Sequence, residues 1–419
     1  MTRTLPHSST AINCPQSQLL AIDAHPAHHY VMSHPEPDLQ HRMAEADRAL
    51  AGGALAESRA LLEAAVPSNP KVPPFWQRLA TVQRLTGAPR LALASIDRGL
   101  ALNPLDFIGL LMRAGLLELL GEAEAGEAYG RALAQRRPDP VPPALAAALA
   151  KAEAAWAAHQ EGLERRLAAA LEASAADLTS AERQRAARLA TNASRRTRAY
   201  HSEATHFHYP GLRELEFHDP AQFRWLPAFE AATETITREM QAAAAASDAE
   251  LVPYIRYGEN EPLAQWAELN FNRDWTAIHL IDRGEQVAAN AQLCPQTMAL
   301  LGEVPQPWID GCGANAMFSL LAPRTAIPPH VGVANFRVLC HVPLIVPGKC
   351  WFRTGASRCE WERGKAFVFD DSIEHEAANE SDQLRVVMIF DTWHPDLSPA
   401  ERTAIAAMAG AAALPLGTL

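Results

Sequence analysis

The chain has 419 residues, enough for two or three domains, and its 48% hydrophobic and 20% charged content is ordinary for a soluble protein. Its formal net charge of −11 argues against a broad nucleic-acid-binding surface. No apolar run approaches the roughly 18 residues that a membrane span requires, the amino terminus lacks the layout of a secretory signal, and the six cysteines form no CxxC pair. We therefore expect a cytoplasmic protein with reduced thiols, no nucleic-acid partner and no membrane anchor.

Residues 1–38 contain prolines, serines and scattered histidines without apolar periodicity. Because no apolar periodicity marks a helix or a strand there, we predict a flexible tail. Its histidines are able to bind metal adventitiously, but we assign no function to them.

The next predicted segment, residues 39–196, has helical patterning and an internal repeat. Pro70, Pro104 and Pro138 recur at intervals of 34 residues, which is the period of tetratricopeptide repeats. In the middle repeat, the positions that pack the two helices together are filled by Trp76, Leu79, Ala92, Ile96 and Gly99. Such repeats cannot bury their faces alone, so they stack into an α-solenoid whose concave face binds peptides or proteins. A plain helical scaffold or a dimerisation element is the alternative.

The alanine-rich stretch 141–196 is predicted to form helices that cap the repeats and connect them to the following domain. One helix begins at the capping signal Thr179-Ser180-Ala181-Glu182. Arginines are concentrated in this helix and just after it: Arg183, Arg185, Arg188, Arg195, Arg196 and Arg198. Because the pattern is helical and alanine-rich, we interpret these arginines as a solvated helix face.

In the domain predicted for residues 197–402, strand-like runs alternate with turns, and three residues have the spacing of a metal and cosubstrate site. His330 precedes one strand-like run, His375 lies in Asp370–Glu376, and Arg385 opens a second strand-like run ten residues later. Imidazole suits iron, and paired histidines with open positions suit oxygen chemistry. A guanidinium fork grips a carboxylate in bidentate fashion. The pattern therefore predicts iron(II) and a carboxylate-bearing cosubstrate.

Three segments extend this pattern: HVGVANFRVLCHVPLIVP (330–347), WERGKAFVFDDSIEHE (361–376) and RVVMIFDTWHPDLSPAER (385–402). With them the chain resembles, over residues 200–402, the aspartyl/asparaginyl β-hydroxylase family of iron(II)- and 2-oxoglutarate-dependent oxygenases. The resemblance implies a double-stranded β-helix, a jelly-roll or cupin-like fold whose inward-facing residues build a ligand cavity. It also implies iron(II), 2-oxoglutarate and O2 as cofactors.

The same resemblance implies a role for each matching residue. The iron ligands fall on His330 and His375, and the contact to the far carboxylate of 2-oxoglutarate falls on Arg385 and Ser319. The contact to the near carboxylate falls on His341. Without the resemblance, His341 would be interpreted as a packed, hydrogen-bonded side chain of an apolar strand.

Two positions depart from the usual pattern of such oxygenases. Gly332 stands where most of them complete a facial triad with a carboxylate. Animal members of the family share that gap, which leaves room for water or, in some halogenases, for chloride; the surrounding motifs favour hydroxylation. Leu339 stands where the animal members have a second arginine. Because residues 337, 339 and 341 share one strand face, Arg337 is the candidate to supply the missing cation.

The acidic residues around His375 have open interpretations. Glu374 and Glu376 are expected to point to the opposite strand face, towards solvent or behind the metal ligand. Asp370 or Asp371 would orient a metal-bound imidazole, and a role in a turn is the alternative.

The sequence thus predicts a tetratricopeptide-like α-solenoid, a jelly-roll oxygenase domain and, in residues 403–419, a C-terminal helix or tail. By family analogy the reaction is hydroxylation of the β-carbon of Asp or Asn in a peptide, protein or carrier-bound amino acid that the repeats help to hold. One alternative is hydroxylation of a lipid acyl chain or a small metabolite. A second alternative is a non-catalytic interaction scaffold, against which the retained His330, His375, Arg385 and Ser319 argue.

Overall fold

The structure, a computed structural model, describes residues 37–65, 71–137, 140, 142–246, 251–258 and 266–412. The chain divides into two compact units, one ending at Arg183 and the other beginning at Gln184. Almost all of the predicted tail, together with Pro70 and Pro138, lies outside the described residues. Helix α1 begins at Pro37, so the predicted boundary after residue 38 falls in its first turn.

The first unit is helical, and each helix packs on the next along the chain. Its helices are α1 (Pro37–Ala51), α2 (Leu55–Ala65), α3 (Pro73–Leu85), α4 (Pro89–Leu102), α5 (Phe107–Leu120), α6 (Ala125–Leu133) and α7 (Pro143–Ser174). Prolines at the first turns of α3, α4 and α7 start these helices with a preset φ. The prediction of helical repeats is confirmed.

In the middle repeat, small residues stand where helices α3 and α4 pack closely. Trp76, Ala92 and Ile96 are buried, and a Cβ added to Gly99 would lie 3.2 Å from the Cβ of Trp76. Glycine at position 99 therefore allows α3 and α4 to approach closely. In the next pair of helices, Tyr129 and Ala132 of α6 are buried in one cluster with Leu111 and Ala114 of α5.

Helix α8 (Ser180–Ala193) begins at the expected capping signal. The backbone N–H of Thr179 donates to Glu182 Oε2 at 2.8 Å, and the N–H of Glu182 donates to Thr179 Oγ1 at 3.3 Å. Beyond residue 183 the helix packs within the second unit, where Arg188 donates to Ser357 Oγ at 2.8 Å. The two units consequently meet in sequence within α8, whereas the sequence predicted a boundary after residue 196.

The second unit contains two antiparallel sheets. Its strands are β1 (Leu251–Pro253), β2 (Trp275–Asp282), β3 (Glu285–Gln286), β4 (Ala316–Leu321), β5 (Thr325–His330), β6 (Arg337–Ile345), β7 (Cys350–Thr354), β8 (Ser357–Glu360), β9 (Phe367–Phe369), β10 (His375–Asn379) and β11 (Arg385–Trp393). The larger sheet has the order β1-β2-β4-β11-β6-β9, with β3 paired to β2. The smaller sheet has the order β5-β10-β7-β8. The predicted jelly-roll class is confirmed.

Helices cover the outer face of the larger sheet. They are α9 (Leu226–Ala231), α10 (Thr233–Ala245), α11 (Ala288–Ala291) and α12 (Pro295–Leu301), with a 3-10 turn at Pro220–Gln222. Helices α9 and α10 meet at Ala232. Ile236 and Met240 of α10 join one core cluster with Phe318 and Phe390 of the sheet.

A second core cluster fills the space between the two sheets, and strand alternation decides which residues reach it. On β6, Val338 and Cys340 face the helices, whereas Leu339 faces the smaller sheet. Leu339 meets Phe352 of β7 and Phe369 of β9 there. The face of β6 that the alternation of side chains predicted to bind a ligand therefore lies between the two sheets.

The last described helix, α13 (Pro399–Ala412), belongs to the packing of the second unit. Its Ile405 and Ala409 are buried against Phe336 and Trp393. The predicted boundary after residue 402 therefore falls inside this helix, and residues 413–419 lie outside the described part of the chain. None of the helices in the described ranges is long and apolar enough to cross a membrane.

Candidate active site

His330 and His375 face each other across two neighbouring strands of the smaller sheet. His330 ends β5, His375 begins β10, and the two residues are direct partners in the antiparallel register. Their ring centroids are 4.0 Å apart with the planes at 53°. Both residues line one cavity between the sheets. Strand pairing thus brings together two imidazoles that are 45 positions apart in the sequence.

Backbone carbonyls fix the protonation of both rings. His330 Nδ1 lies 2.8 Å from the carbonyl oxygen of Pro328, and His375 Nδ1 lies 3.0 Å from that of Ile373. A carbonyl only accepts, so each Nδ1 carries the proton and each Nε2 keeps its lone pair. Burial lowers the pKa of His330 to about 4 and holds the pKa of His375 well below its ordinary value. Both rings are therefore neutral at pH 7, as metal ligands must be.

Asp371 lies in the space beside Gly332. A Cβ added to Gly332 would overlap Asp371 Oδ2, and the N–H of Gly332 donates to the backbone oxygen of Asp371 at 2.6 Å. Asp371 lines the cavity. Neither histidine Nδ1 is bonded to Asp370 or Asp371, so the carbonyls perform the orienting role that the sequence left open for these aspartates.

The two oxygens of Asp371 have different surroundings. Oδ2 accepts from Arg337 at 3.3 Å, whereas Oδ1 is buried without a hydrogen-bond partner among the described residues. Burial raises the pKa of Asp371 to about 6, and the charge of Arg337 opposes that rise. Asp371 therefore has a buried oxygen able to accept or donate a proton, and the residue lines the same cavity as the histidine pair.

Arg385 begins β11 and lines the same cavity from the larger sheet. Its Nη1 donates to Ser319 Oγ at 3.3 Å, and Ser319 Oγ also accepts from Trp275 Nε1 at 3.0 Å. The guanidinium carbon lies 4.6 Å from the ring centroid of Trp361, a cation–π distance. Burial lowers the pKa of Arg385 to about 10, which leaves it charged at pH 7. Its Nε has no partner in the described part of the chain.

His341 and Leu339 contribute the floor of the cavity from β6. His341 packs among Phe352, Phe367 and Phe369, and burial holds its pKa well below the ordinary value. Its Nδ1 is buried and, within the described ranges, unbonded. A neutral imidazole in an apolar wall with one nitrogen unpaired is arranged to bond a ligand.

Arg337 has a different position from the one expected for it. Its side chain is 3% exposed and is held by Asp371 at 3.3 Å and by Asp391 at 3.2 Å. Asp391 in turn accepts from the backbone N–H of Asn315 at 3.0 Å. Arg337 does not line the cavity that Leu339 and Asp371 line. Two buried carboxylates therefore neutralise the arginine that was expected to stand in for the residue missing at Leu339.

Several lining residues were not singled out by the sequence. Tyr254 stacks on Trp275 with ring centroids 3.8 Å apart and planes at 9°, and Trp361 lies beneath Arg385. Trp361 Nε1 is buried and has no partner within the described residues. Aromatic residues in strands usually belong to the hydrophobic core. Only the assembled structure therefore identifies Tyr254, Trp275 and Trp361 as residues of the cavity.

The two glutamates beside His375 lie near the expected places. Glu374 and Glu376 are half-buried, and both pair with Arg353 of β7. Glu376 also reaches the rim of the cavity. No group of three or more His, Cys, Asp and Glu side chains arranged to hold a metal occurs among the described residues.

Comparison with known proteins finds a family model that matches part of this unit. Residues 230–395 match the family model described as aspartyl/asparaginyl beta-hydroxylase. The chain is 36% identical over 135 residues to human aspartate beta-hydroxylase domain-containing protein 2, covering 32% of this chain and 37% of that protein. It is 33% identical over 137 residues to human aspartyl/asparaginyl beta-hydroxylase, covering 32% and 18%.

A relative whose name gives a lipid as its substrate is similar to the same extent. The chain is 36% identical over 129 residues to the ornithine lipid ester-linked acyl 2-hydroxylase of Rhizobium tropici, covering 30% of this chain and 44% of that protein. The chain therefore spans less than half the length of each of these relatives.

Solved structures resemble the chain at low TM-score. The type III secretion chaperone SycD of Yersinia enterocolitica, in complex with a peptide of the translocator YopD, matches with a TM-score of 0.27 and 17% identity, covering 29% of this chain and 91% of that chain. The tetratricopeptide domain of P58(IPK) matches with a TM-score of 0.27 and 23% identity, covering 38% and 40%.

Proposed function

We propose that this chain, whose residues 230–395 match the family model of aspartyl/asparaginyl β-hydroxylases, is an iron(II)- and 2-oxoglutarate-dependent dioxygenase that hydroxylates an unactivated carbon. The observation that carries the proposal is the facing pair His330 and His375, both protonated on Nδ1, in a cavity that also contains Arg385. Neutral imidazoles with free Nε2 lone pairs suit iron(II), and a buried arginine suits a carboxylate.

The unpaired polar atoms of the cavity fit this assignment. His341 Nδ1, Trp361 Nε1, Asp371 Oδ1 and Arg385 Nε are all buried without partners in the described part of the chain. Buried polar atoms are normally paired, so a cluster of unpaired ones around one cavity indicates a polar ligand. A dicarboxylate with a ketone, such as 2-oxoglutarate, would accept from the arginine and the indole at one end and from His341 nearer the histidine pair.

Bound iron(II) would supply activation of O2 coupled to decarboxylation of 2-oxoglutarate, and the protein would control position and solvent. His330 and His375 would hold the metal from one side. Arg385 and Ser319 would hold the far carboxylate, with Trp275 and Trp361 fixing the two donors. The apolar walls formed by Ile327, Phe352, Phe369 and Ile389 would exclude water.

Asp371 would complete the side of the site that Gly332 leaves without a ligand. Its unpaired Oδ1 would accept a hydrogen bond from a water molecule held beside the histidine pair. Arg337 and the backbone N–H of Gly332 keep the residue in place. In this arrangement Asp371 positions water rather than replacing the missing carboxylate ligand.

The proposed substrate is an Asp or Asn residue of a peptide or protein, hydroxylated at the β-carbon. The match of residues 230–395 to that family model supports this choice, and the helical repeats would hold the polypeptide. Hydroxylation of a lipid acyl chain is a second candidate, because an apolar residue, Leu339, lines the cavity and because the chain is similar to an acyl hydroxylase.

Mass spectrometry separates these candidates. The iron-loaded full chain is incubated with 2-oxoglutarate and either a library of Asp- and Asn-containing peptides or a total lipid extract. We expect succinate to form and a peptide to gain one oxygen in a 2-oxoglutarate-dependent manner. A gain of oxygen in lipids alone selects the second candidate, and no succinate with any pool contradicts the proposed function.

A further inference from the structure

Strand β10, which begins at His375, is held differently on its two sides. On one side it pairs with β5, and the register shifts between His375 and Ala377. Pro328 and Pro329 of β5 lie at this shift, and a proline has no N–H to donate to a neighbouring strand. On the other side β10 pairs with β7, and the register is regular from His375 to Asn379. The regular support of His375 therefore comes from β7.

One arginine of β7 bonds to the residues on both sides of His375. Arg353 Nε donates to Glu376 Oε1, and Arg353 Nη2 donates to Glu374 Oε1 at 2.9 Å. Its remaining nitrogen, Nη1, donates to the backbone oxygen of Gly355 at 2.6 Å. Every nitrogen of this guanidinium is therefore bonded, and two of the three tie β10 to β7 around His375.

These bonds lie on the face of the smaller sheet that is opposite the cavity. Arg353 alternates on β7 with Phe352, which lines the cavity, so the two side chains leave opposite faces of the strand. Arg353 and Glu376 are direct cross-strand partners. Arg353 itself does not line the cavity. Any influence of Arg353 on a ligand in the cavity is therefore transmitted through the residues of β10.

Glu374 is fixed through both of its carboxylate oxygens. Its Oε1 accepts from Arg353, and its Oε2 accepts from Arg198 Nη2 at 2.8 Å. The backbone nitrogen of Glu374 belongs to the same planar peptide unit as the carbonyl group of Ile373. The oxygen of that carbonyl lies 3.0 Å from His375 Nδ1. Fixing Glu374 therefore restricts the peptide unit that orients the imidazole.

The ion pairs of Arg353 are less exposed to solvent than a comparable pair elsewhere in this unit. The side chains of Arg353, Glu374 and Glu376 are 17%, 28% and 25% exposed. Arg213 forms a two-bond pair with Asp396, also through Nε and Nη2, but its side chain is 54% exposed. Water and salt screen exposed pairs strongly. The bonds of Arg353 are therefore better able to hold a geometry.

We propose that Arg353 is a positioning residue of the metal site, which orients the imidazole of His375 by holding Glu374 and Glu376 on the opposite face of the sheet. The inference rests on the proposed function, because that function makes His375 a metal ligand. A residue that fixes the orientation of a metal ligand typically changes metal affinity by about 10- to 100-fold when it is removed.

Titration of the full chain with cobalt(II) tests this role without measuring turnover. Cobalt(II) stands in for iron(II), and its visible absorption bands report the geometry of its ligands. We expect Arg353→Gln to weaken cobalt(II) binding by about tenfold or more and to shift the bands, because His375 is no longer held at one angle. Arg353→Lys, which keeps the charge but not the fork, should have an intermediate affinity.

Arg213→Gln is the matched control, because it removes an arginine with the same two-nitrogen pairing to a carboxylate that does not flank a metal ligand. It should change cobalt(II) affinity by less than about twofold. Equal weakening by the two glutamine variants would overturn the inference. A lower melting temperature of Arg353→Gln with unchanged cobalt(II) affinity and bands would also overturn it, because Arg353 would then stabilise the fold alone.

Two further outcomes are decisive. If Arg353→Gln does not fold, Arg353→Lys replaces it, and a cobalt(II) affinity within about twofold of the parent then overturns the inference. A parent chain that binds no cobalt(II) contradicts the proposed function and this inference together. A parent that binds cobalt(II), with variants of Arg353 that bind it equally well, contradicts this inference alone.

Discussion

The carboxylate of Asp371 fills the space that a side chain at Gly332 would need, since a Cβ at Gly332 would overlap Asp371 Oδ2. The two residues are also joined through their backbones, by a hydrogen bond of 2.6 Å from Gly332 N to Asp371 O. The position of the Asp371 carboxylate therefore requires a residue without a side chain at position 332. In this chain the position two residues after the first histidine has no carboxylate, and the carboxylate of Asp371, from the segment before the second histidine, lies beside it.

A double-mutant cycle measures this coupling. Gly332→Ala should destabilise the protein by about 1–3 kcal/mol, because the added methyl group is forced against a buried carboxylate. In an Asp371→Ala background the same change should cost much less, so we expect a coupling free energy of at least about 1 kcal/mol. Urea denaturation of the four proteins gives the values. Additive effects would show that the two side chains do not compete for one space.

The two histidines are predicted to be the only protein ligands to iron. His330→Ala and His375→Ala should each abolish iron(II) binding in a titration and 2-oxoglutarate turnover, because each removes one of two ligands. His341→Ala is the matched control, because it removes a buried imidazole from the same cavity. This variant should still bind iron(II), and its affinity for 2-oxoglutarate should be lower. Undiminished turnover in either ligand variant would contradict the assignment.

Arg385 is predicted to anchor the far carboxylate of 2-oxoglutarate. Removing one partner of a buried bidentate pair costs on the order of 3–5 kcal/mol, and lysine cannot reproduce the fork. Arg385→Lys should raise the apparent KM for 2-oxoglutarate strongly and leave iron affinity nearly unchanged. Arg358→Lys is the control, because Arg358 also stacks on a tryptophan but at the surface. Its guanidinium carbon lies 4.1 Å from the ring centroid of Trp351, whose Nε1 donates to Glu380 in an exposed hydrogen bond. A loss of about 1.4 kcal/mol corresponds to a tenfold change in KM. A change of less than about twofold for Arg385→Lys would therefore show that Arg385 does not anchor the far carboxylate.

Asp370 should make stability depend on pH in a defined direction. Burial raises its pKa to about 7, above the ordinary value, so the folded protein binds a proton that the unfolded chain has released. Its contribution to stability is present at low pH and is lost as pH rises from about 4 to about 7. Asp370→Asn, which can still accept from the Ser372 N–H, should therefore stabilise the protein increasingly over that range. Denaturation at pH 4, 5.5, 7 and 8 checks this, and an effect independent of pH would show that the carboxyl is not protonated.

The boundary between the two units, after Arg183, predicts the effect of removing the first unit. A protein beginning at residue 184 keeps Arg188 and its contacts to Glu216 and Ser357, whereas one beginning at residue 197 loses them. We expect both to bind iron and 2-oxoglutarate if folded, the shorter one with a lower melting temperature, and both to lose efficiency towards a polypeptide that the repeats hold. Full efficiency of the residue-184 protein towards its substrate would assign the repeats another role.

The sequence located the candidate ligands because each belongs to a local pattern. Strand alternation put Leu339 and His341 on one face of β6, and the structure has them there. The period of 34 residues predicted helical pairs, and Trp76, Ile96 and Gly99 pack as that period requires. Patterns of this kind depend on the repeat geometry of one strand or one helix, so a single sequence reveals them.

The tertiary structure decided what depends on residues distant in the sequence. Alternation predicted Arg337 on the cavity side, but its side chain pairs with Asp371 and Asp391 and does not line the cavity, and no local pattern predicts that pairing. The stacking of Trp361 under Arg385 and the approach of Arg198 and Arg353 to the ring of Tyr200 likewise join segments from different strands and loops. Strand period fixes which way a side chain points, whereas its partner depends on the register and packing of the whole unit.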